Sequence, residues 1–101
     1  MASELPLEFH PEALAELERA KAWYEAQRFS LGESFFQEIT TAITRIRETP
    51  VTWPEYKGGT RRFLVHRFPF AIIYSLRSSA ILVVAVMHLK RRPGYWMSRL
   101  G

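Results

Sequence analysis

The chain has 101 residues, a net charge of +4 and no cysteine. That length fits one domain, residues 1–101, able to remove roughly two-thirds of its unfolded surface from water, and the missing cysteine excludes a disulfide framework, a thiolate nucleophile and thiolate zinc sites. The longest apolar stretch, Ala80 to Met87, is far short of the roughly 20 residues of a membrane-spanning helix, and "MASELPLEF" lacks a basic-then-apolar signal pattern, so a soluble, cytoplasmic protein is expected.

All ten acidic residues are glutamates, and the last is Glu55. Residues 1–56 hold those ten against five cations, a net of −5, while residues 57–101 hold nine cations and no acid, a net of +9. Such asymmetry fits an anionic partner, nucleic acid or acidic protein, over the basic half. The alternative is that the halves fold together and neutralise each other.

In chain order, "LPLEF" (Leu5 to Phe9) alternates as a short strand. "HPEALAELERAKAWYEAQ" follows, with Pro11 in the first turn, Glu12 near the positive helix end, and apolar residues at 13, 17, 20 and 24, which predicts an amphipathic helix to about Gln27. After a short loop at Arg28 and Phe29, Ser30 and Glu33 have capping-box spacing. Phe35, Ile39, Ala42, Ile43 and Ile46 then carry a second helix, which ends before Pro50. "TPVTWPEYKGGT" reads as loop.

The basic half is β. "TRRFLVHRF" and "FAIIYSL" flank a turn at Phe68-Pro69, "RSS" makes the next turn, and "AILVVAVMH" is apolar on both faces, as a central strand is. The expectation is an α+β domain in the order β-α-α-β-β-β, in which a helical hairpin covers one face of a mostly antiparallel four-stranded sheet. The N-terminal strand is expected to pair in parallel with the strand at 80–88.

Arg61, Arg62 and Arg67 fall on or beside one strand, with Arg62 on the face opposite the other two. Their planar forks suit carboxylates or phosphates, and edge-strand arginines also discourage aggregation. His88 ends the central strand, either as a general base or as an acceptor that shapes the next turn. Metal-free ribonuclease chemistry has candidates in His88, Lys90, Arg91 and Tyr95. Tyr95 and Trp96 suit base stacking, or packing of the tail onto the body. Aspartate is absent, and no Walker loop, dinucleotide fingerprint, zinc spacing or Ser-His-Asp order appears, so no metal and no cofactor is expected.

"HPEALAELERAKAWYEAQ", "LGESFFQEITTAITRIRETPVTWP", "RRFLVHRFPFAIIY" and "ILVVAVMHLKRRPGYW", in this order and nearly end to end, resemble the RelE/ParE superfamily of bacterial type II toxin–antitoxin modules. The resemblance implies a helical hairpin on an antiparallel sheet and a hetero-oligomer with an antitoxin whose acidic, apolar C-terminal segment wraps the toxin. Within it, RelE-like members cut messenger RNA on the ribosome with basic residues on the sheet and a C-terminal aromatic, whereas ParE-like members poison DNA gyrase.

Arg62 and Arg91 match two basic positions of the RelE set, and Tyr95 or Trp96 falls near its tyrosine. Leu64 and Ala71 stand where two further basic residues belong. Phe68-Pro69-Phe70, His88, Arg91, Pro93 and Trp96 look like the ParE form. The resemblance therefore implies a plasmid-stabilisation-type gyrase inhibitor rather than an enzyme. Arg61, Arg62, Arg67, Lys90, Arg91, Arg92 and Tyr95 would contact antitoxin or target; Pro69, His88, Pro93 and Trp96 would be structural. The alternatives are a ribosome-dependent endoribonuclease using Arg62, His88, Lys90, Arg91 and Tyr95, and a non-toxic domain that only binds antitoxin.

Overall fold

The computed structural model describes residues 5–101; residues 1–4, part of the segment read for a signal pattern, lie outside the described residues. The order is β1 (Leu7–Phe9), α1 (Pro11–Gln27), α2 (Phe29–Glu48), β2 (Arg61–Leu64), β3 (Phe70–Leu76) and β4 (Ile81–His88), with short 3-10 turns at Lys57–Gly59 and Met97–Arg99. The strands form one sheet in the order β1-β4-β3-β2. β1 runs parallel to β4, with Leu7 opposite Ile81 and Phe9 opposite Val83, and the other pairs are antiparallel. This is the expected α+β arrangement, including the parallel N-terminal strand.

His10 caps α1: its Nδ1 accepts the Glu12 backbone N–H at 3.1 Å, satisfying a donor that the first helical turn leaves free. Ala13, Glu16 and Leu17 form the buried stripe of α1. Gly32, Phe35, Ile39, Ala42 and Ile46 form that of α2, at alternating steps of three and four.

The capping box expected at Ser30 and Glu33 does not form. α2 begins at Phe29, behind an extended Arg28 that makes no side-chain cap. The reason is the close crossing of the helices at Gly32, where a Cβ would stand 2.2 Å from Glu25 Cγ and 3.1 Å from the Lys21 carbonyl oxygen. Helices this close are joined through Arg28 alone rather than by a loop, so Ser30 lies inside the first turn instead of ahead of it.

The strand expected over residues 60–68 is also shorter, ending at Leu64. Arg67 takes φ = 72°, a left-handed conformation that clashes with an L side chain and cannot continue a strand. The Val65 N–H donates to Phe70 O at 2.9 Å and closes the turn. Arg67 therefore belongs to a turn and does not share a strand face with Arg61.

A bulge in β4 divides the core. Ile73 pairs with Ala85 but Tyr74 with Val83, which makes Val84 the extra residue and switches the face of everything after it. Ile81, Val83 and Val86 thus face the helices with Phe35, Ile39, Ile46, Phe63, Phe70 and Ile72. Val84, Ala85 and Met87 face the other way, with Ala71, Ile73 and Trp96. The chain after β4 crosses back over this second face, and Trp96 is fully buried there.

Candidate functional site

The end of β4 and the tail beyond it bring most of the singled-out residues together. The His88 carbonyl accepts the Arg91 N–H at 2.9 Å and its Nδ1 accepts the Lys90 N–H at 3.0 Å, so the chain turns sharply out of the strand. With Nδ1 accepting, the neutral ring carries its proton on Nε2. The imidazole stands edge-on to Phe70, ring centres 5.0 Å apart. Lys90, Arg91, Arg92 and Pro93 are exposed around this turn, as is Pro69, whose carbonyl accepts the Leu89 N–H at 2.9 Å.

Aromatic and cationic side chains stack in succession across the tail. Arg62 lies 4.6 Å above the Tyr56 ring, Tyr56 stacks on Trp96 at 5.5 Å, Trp96 meets Tyr95 edge-on at 5.6 Å, and Arg91 lies 3.9 Å above Tyr95. Arg62 and Arg91, the two matches to the basic RelE positions, are linked through three rings in succession. Of the unmatched positions, Leu64 is 57 % exposed and Ala71 is fully buried beneath the tail. Arg61 is engaged elsewhere: its guanidinium donates to the carbonyls of Trp53 at 2.7 Å and Val51 at 3.1 Å, holding the 50–55 loop. Arg67 lies over the Phe68 ring at 5.5 Å.

Glu16 and Arg99, which sequence reasoning missed, anchor this region. β1 ends at Phe9, opposite Val83, so beyond that point β4 keeps β3 on one side and has no neighbouring strand on the other. Side chains complete the edge: Glu16 Oε1 accepts the Val86 N–H at 3.0 Å, and Arg99 donates to Val84 O at 3.0 Å. Arg99 also forks onto the Glu16 carboxylate at 3.0 and 3.1 Å, and the Tyr95 hydroxyl donates to Glu16 Oε2 at 2.7 Å.

Burial, with the Glu16 hydrogen bond added, pushes the Tyr95 phenol well above its ordinary range, so it holds its proton as a donor. Burial pulls the pKa of Arg99 down, but the hydrogen bonds and charge of Glu16 outweigh it and the net shift is upward. The two side chains satisfy each other's hydrogen-bonding groups in a buried site, as buried polar partners must. The available sequence signal was Glu16 itself, a charge inside the stripe of Ala13 and Leu17. Its partner lies 83 residues away and left no local trace.

A groove of about 560 Å³ opens beside this anchor, between α1 and the end of β4. Ala20, Trp23, Phe70 and Val86 line it, with Arg19, His88 and Arg91 around them. Among the described residues no group of three His, Cys, Asp or Glu is placed to hold a metal ion, and no helix is long and apolar enough to cross a membrane.

A helical hairpin on a four-stranded sheet, with a basic, aromatic tail over the far face, defines the molecule as a small two-layer α+β domain. The family model of the ParE toxin of type II toxin–antitoxin systems, parDE, matches residues 7–93, and the chain belongs to that family. A chain of the chromosomal ParDE TA system from P. aeruginosa has the same fold, with a TM-score of 0.71 at 16% identity over 85% of this chain and 97% of that one. No curated protein matches the sequence.

Proposed function

We propose that this chain is the toxin of a cytoplasmic type II toxin–antitoxin module, that it acts by binding DNA gyrase and trapping the cleaved-DNA state, and that an acidic antitoxin holds it inactive in a hetero-oligomer. The observation that carries the choice of gyrase over messenger RNA is the burial of Ala71 under Trp96 and the tail. A ribonuclease of the RelE kind would present a phosphate-stabilising cation at that point of the sheet. Here there is neither the cation nor an open surface for it, and stabilisation of a developing phosphorane loses its main source.

The antitoxin supports itself on charge. Of the nine cations after residue 56, the ion pairs among the described residues engage only Arg61, with Glu55 at 3.9 Å, and Arg99, with Glu16. Lys90, Arg91 and Arg92 remain exposed at the end of β4, where carboxylates of a partner would be steered and held.

Purified toxin, freed of antitoxin, should inhibit gyrase supercoiling and accumulate cleaved DNA. Unchanged supercoiling at large molar excess would sink the gyrase reading. Mapping RNA 5′ ends after induction separates the rivals: codon-phased cuts on translated messages would establish an endoribonuclease, and normal growth on overexpression alone a non-toxic antitoxin-binding domain.

A further inference from the structure

Two apolar grooves flank α1, and their charges are opposite. The inner one, beside the Glu16–Arg99 pair, has Arg19, His88 and Arg91 around its wall. The outer one, about 780 Å³ between the exposed faces of α1 and α2, is lined by Leu14, Phe29 and Phe36 and edged by Glu18, Glu25 and Glu33. Its cation, Lys21, is held by Glu25 at 2.8 Å, so three glutamates against one lysine leave the edge at −2. Phe29 is 67 % exposed, and Leu14 and Phe36 are exposed beside it. A contiguous apolar patch with a polar rim marks a surface that another molecule covers.

The complement to this groove is carried by the same chain. Leu89 is 48 % exposed and stands directly before Lys90, Arg91 and Arg92, which are exposed as well. This tip is rigid: the Leu89 N–H donates to Pro69 O and the Arg91 N–H to His88 O, both at 2.9 Å, and the Lys90 N–H donates to His88 Nδ1 at 3.0 Å. A tip whose backbone is already fixed loses little freedom when it docks. It cannot fill the outer groove of its own chain, because Arg91 lies at the inner flank of α1 and the helix between them is about 10 Å across.

We propose that the outer groove is the docking site for the β4 tip of a second copy of this chain, which seats Leu89 among Leu14, Phe29 and Phe36 and sets Lys90, Arg91 and Arg92 against Glu18, Glu25 and Glu33. The net −5 of residues 1–56 and the net +9 of residues 57–101 are joined, among the described residues, by the ion pairs Glu55–Arg61 and Glu16–Arg99. Most of both charges therefore faces outward, and copies attract head to tail. Groove and tip are different surfaces, so the contact is heterologous: each docked copy leaves one groove and one tip free, and association continues beyond a pair. The tip cations are those that an acidic antitoxin would cover, so antitoxin would dissolve the assembly. The self-association itself does not depend on the toxin reading.

The test is sedimentation velocity of the full-length chain purified alone. In about 20 mM salt its average mass should rise past that of two chains as concentration approaches about 300 μM, and return to that of one chain in about 0.5 M salt, where surface charges are screened. Leu89→Glu and Phe36→Ser, at exposed positions on the two sides of the contact, should each weaken association about 30-fold. An equal mixture of the two should form pairs and stop there, since only the tip of the Phe36→Ser chain and the groove of the Leu89→Glu chain remain intact. Should circular dichroism show either variant misfolded, the exposed charge reversals Lys90→Glu and Glu33→Lys take their place, each weakening association about 5-fold at low salt and recovering on mixing.

A wild-type chain that keeps the mass of one chain throughout would overturn the proposal, as would association unchanged in both variants or a mixture no heavier than its components. If wild type stays single while Phe36→Ser loses inhibition of gyrase, the groove belongs instead to a cationic segment of the target.

Discussion

On its helix side the sheet buries Phe63, Phe70, Ile72, Ile81 and Val83 against two helices, α1 bringing Ala13 and Leu17 and α2 bringing Phe35, Ile39 and Ile46. On the other side, Ala71, Ile73, Ala85 and Met87 lie under a tail whose one fully buried side chain is Trp96. The helices satisfy most of their own backbone groups and spread the apolar contact over several turns. The tail makes only short-range turns, Met97 N–H to Gly94 O at 3.0 Å and Arg99 N–H to Trp96 O at 2.8 Å, and so depends on the indole and on the Glu16–Arg99 pair. One sheet is thus closed by a distributed cover on one face and by a cover with two concentrated anchors on the other.

The largest effect expected from this contrast is at Trp96. Trp96→Ala should cost about 4 kcal/mol, the range for removing a buried aromatic, measured by urea denaturation. Amide exchange should quicken in residues 94–101 well before it does in α2. Trp96→Phe should recover most of the loss, because the buried indole Nε1 has no hydrogen-bond partner and phenylalanine removes that penalty. A stability loss below about 1 kcal/mol in the alanine variant would mean the tail is not a core layer.

Arg99→Met comes next. It strands the Glu16 carboxylate in a buried site and should lower stability by about 3 kcal/mol, while adding Glu16→Gln to it should restore part of the loss by removing the unpaired charge. If the double variant were less stable than Arg99→Met alone, the Glu16 carboxylate would be contributing through its other bonds instead.

The faces also differ in how they meet alkali. Tyr74, on the helix side, donates to Pro50 O, and burial pushes its phenol up to about 12, partly opposed by the Arg61 charge. Its folded pKa therefore lies above its unfolded value of 10.0. The stability this contributes is complete below about pH 10 and is lost as pH rises through about 12. Tyr74→Phe should make the fall in stability between these values shallower, as read by thermal unfolding at stepped pH; an unchanged slope would place the titration on the other face, at Tyr95.

Away from both faces the smallest effects are expected, at the helix starts. Ser30→Ala should change stability by less than about 0.5 kcal/mol, since Ser30 caps nothing, whereas His10→Ala should cost about 1 kcal/mol as a lost N-cap. Equal costs would mean that α2 starts later in solution.

Element order and type were legible because each element carries a strong local period: three-and-four steps in the helices, alternation or a continuous apolar run in the strands. The strand at 80–88 showed both its faces to be apolar, which placed it centrally. The starts and stops were less legible. The Ser30–Glu33 spacing was a valid local signal that the Gly32 crossing overrode, and Arg67 halted β2 through a backbone conformation that its side chain does not encode. Among the site residues, the cluster from His88 to Trp96 was readable as a basic, aromatic turn, while the groove was not, since Arg19 and Trp23 looked like ordinary positions on the solvent side of α1.

The sequence by itself determined the α+β order, the concentration of cations after Glu55 and the likeness to a toxin superfamily, because composition and periodicity are properties of neighbours along the chain. Only the tertiary structure decided that Glu16 meets Arg99 to finish an incomplete sheet edge, that Ala71 is sealed beneath Trp96, and that the two flanks of α1 carry opposite charge. Each of these joins residues far apart in the chain, and the energy of a buried pair or a charged groove depends on distances in space that no local pattern records.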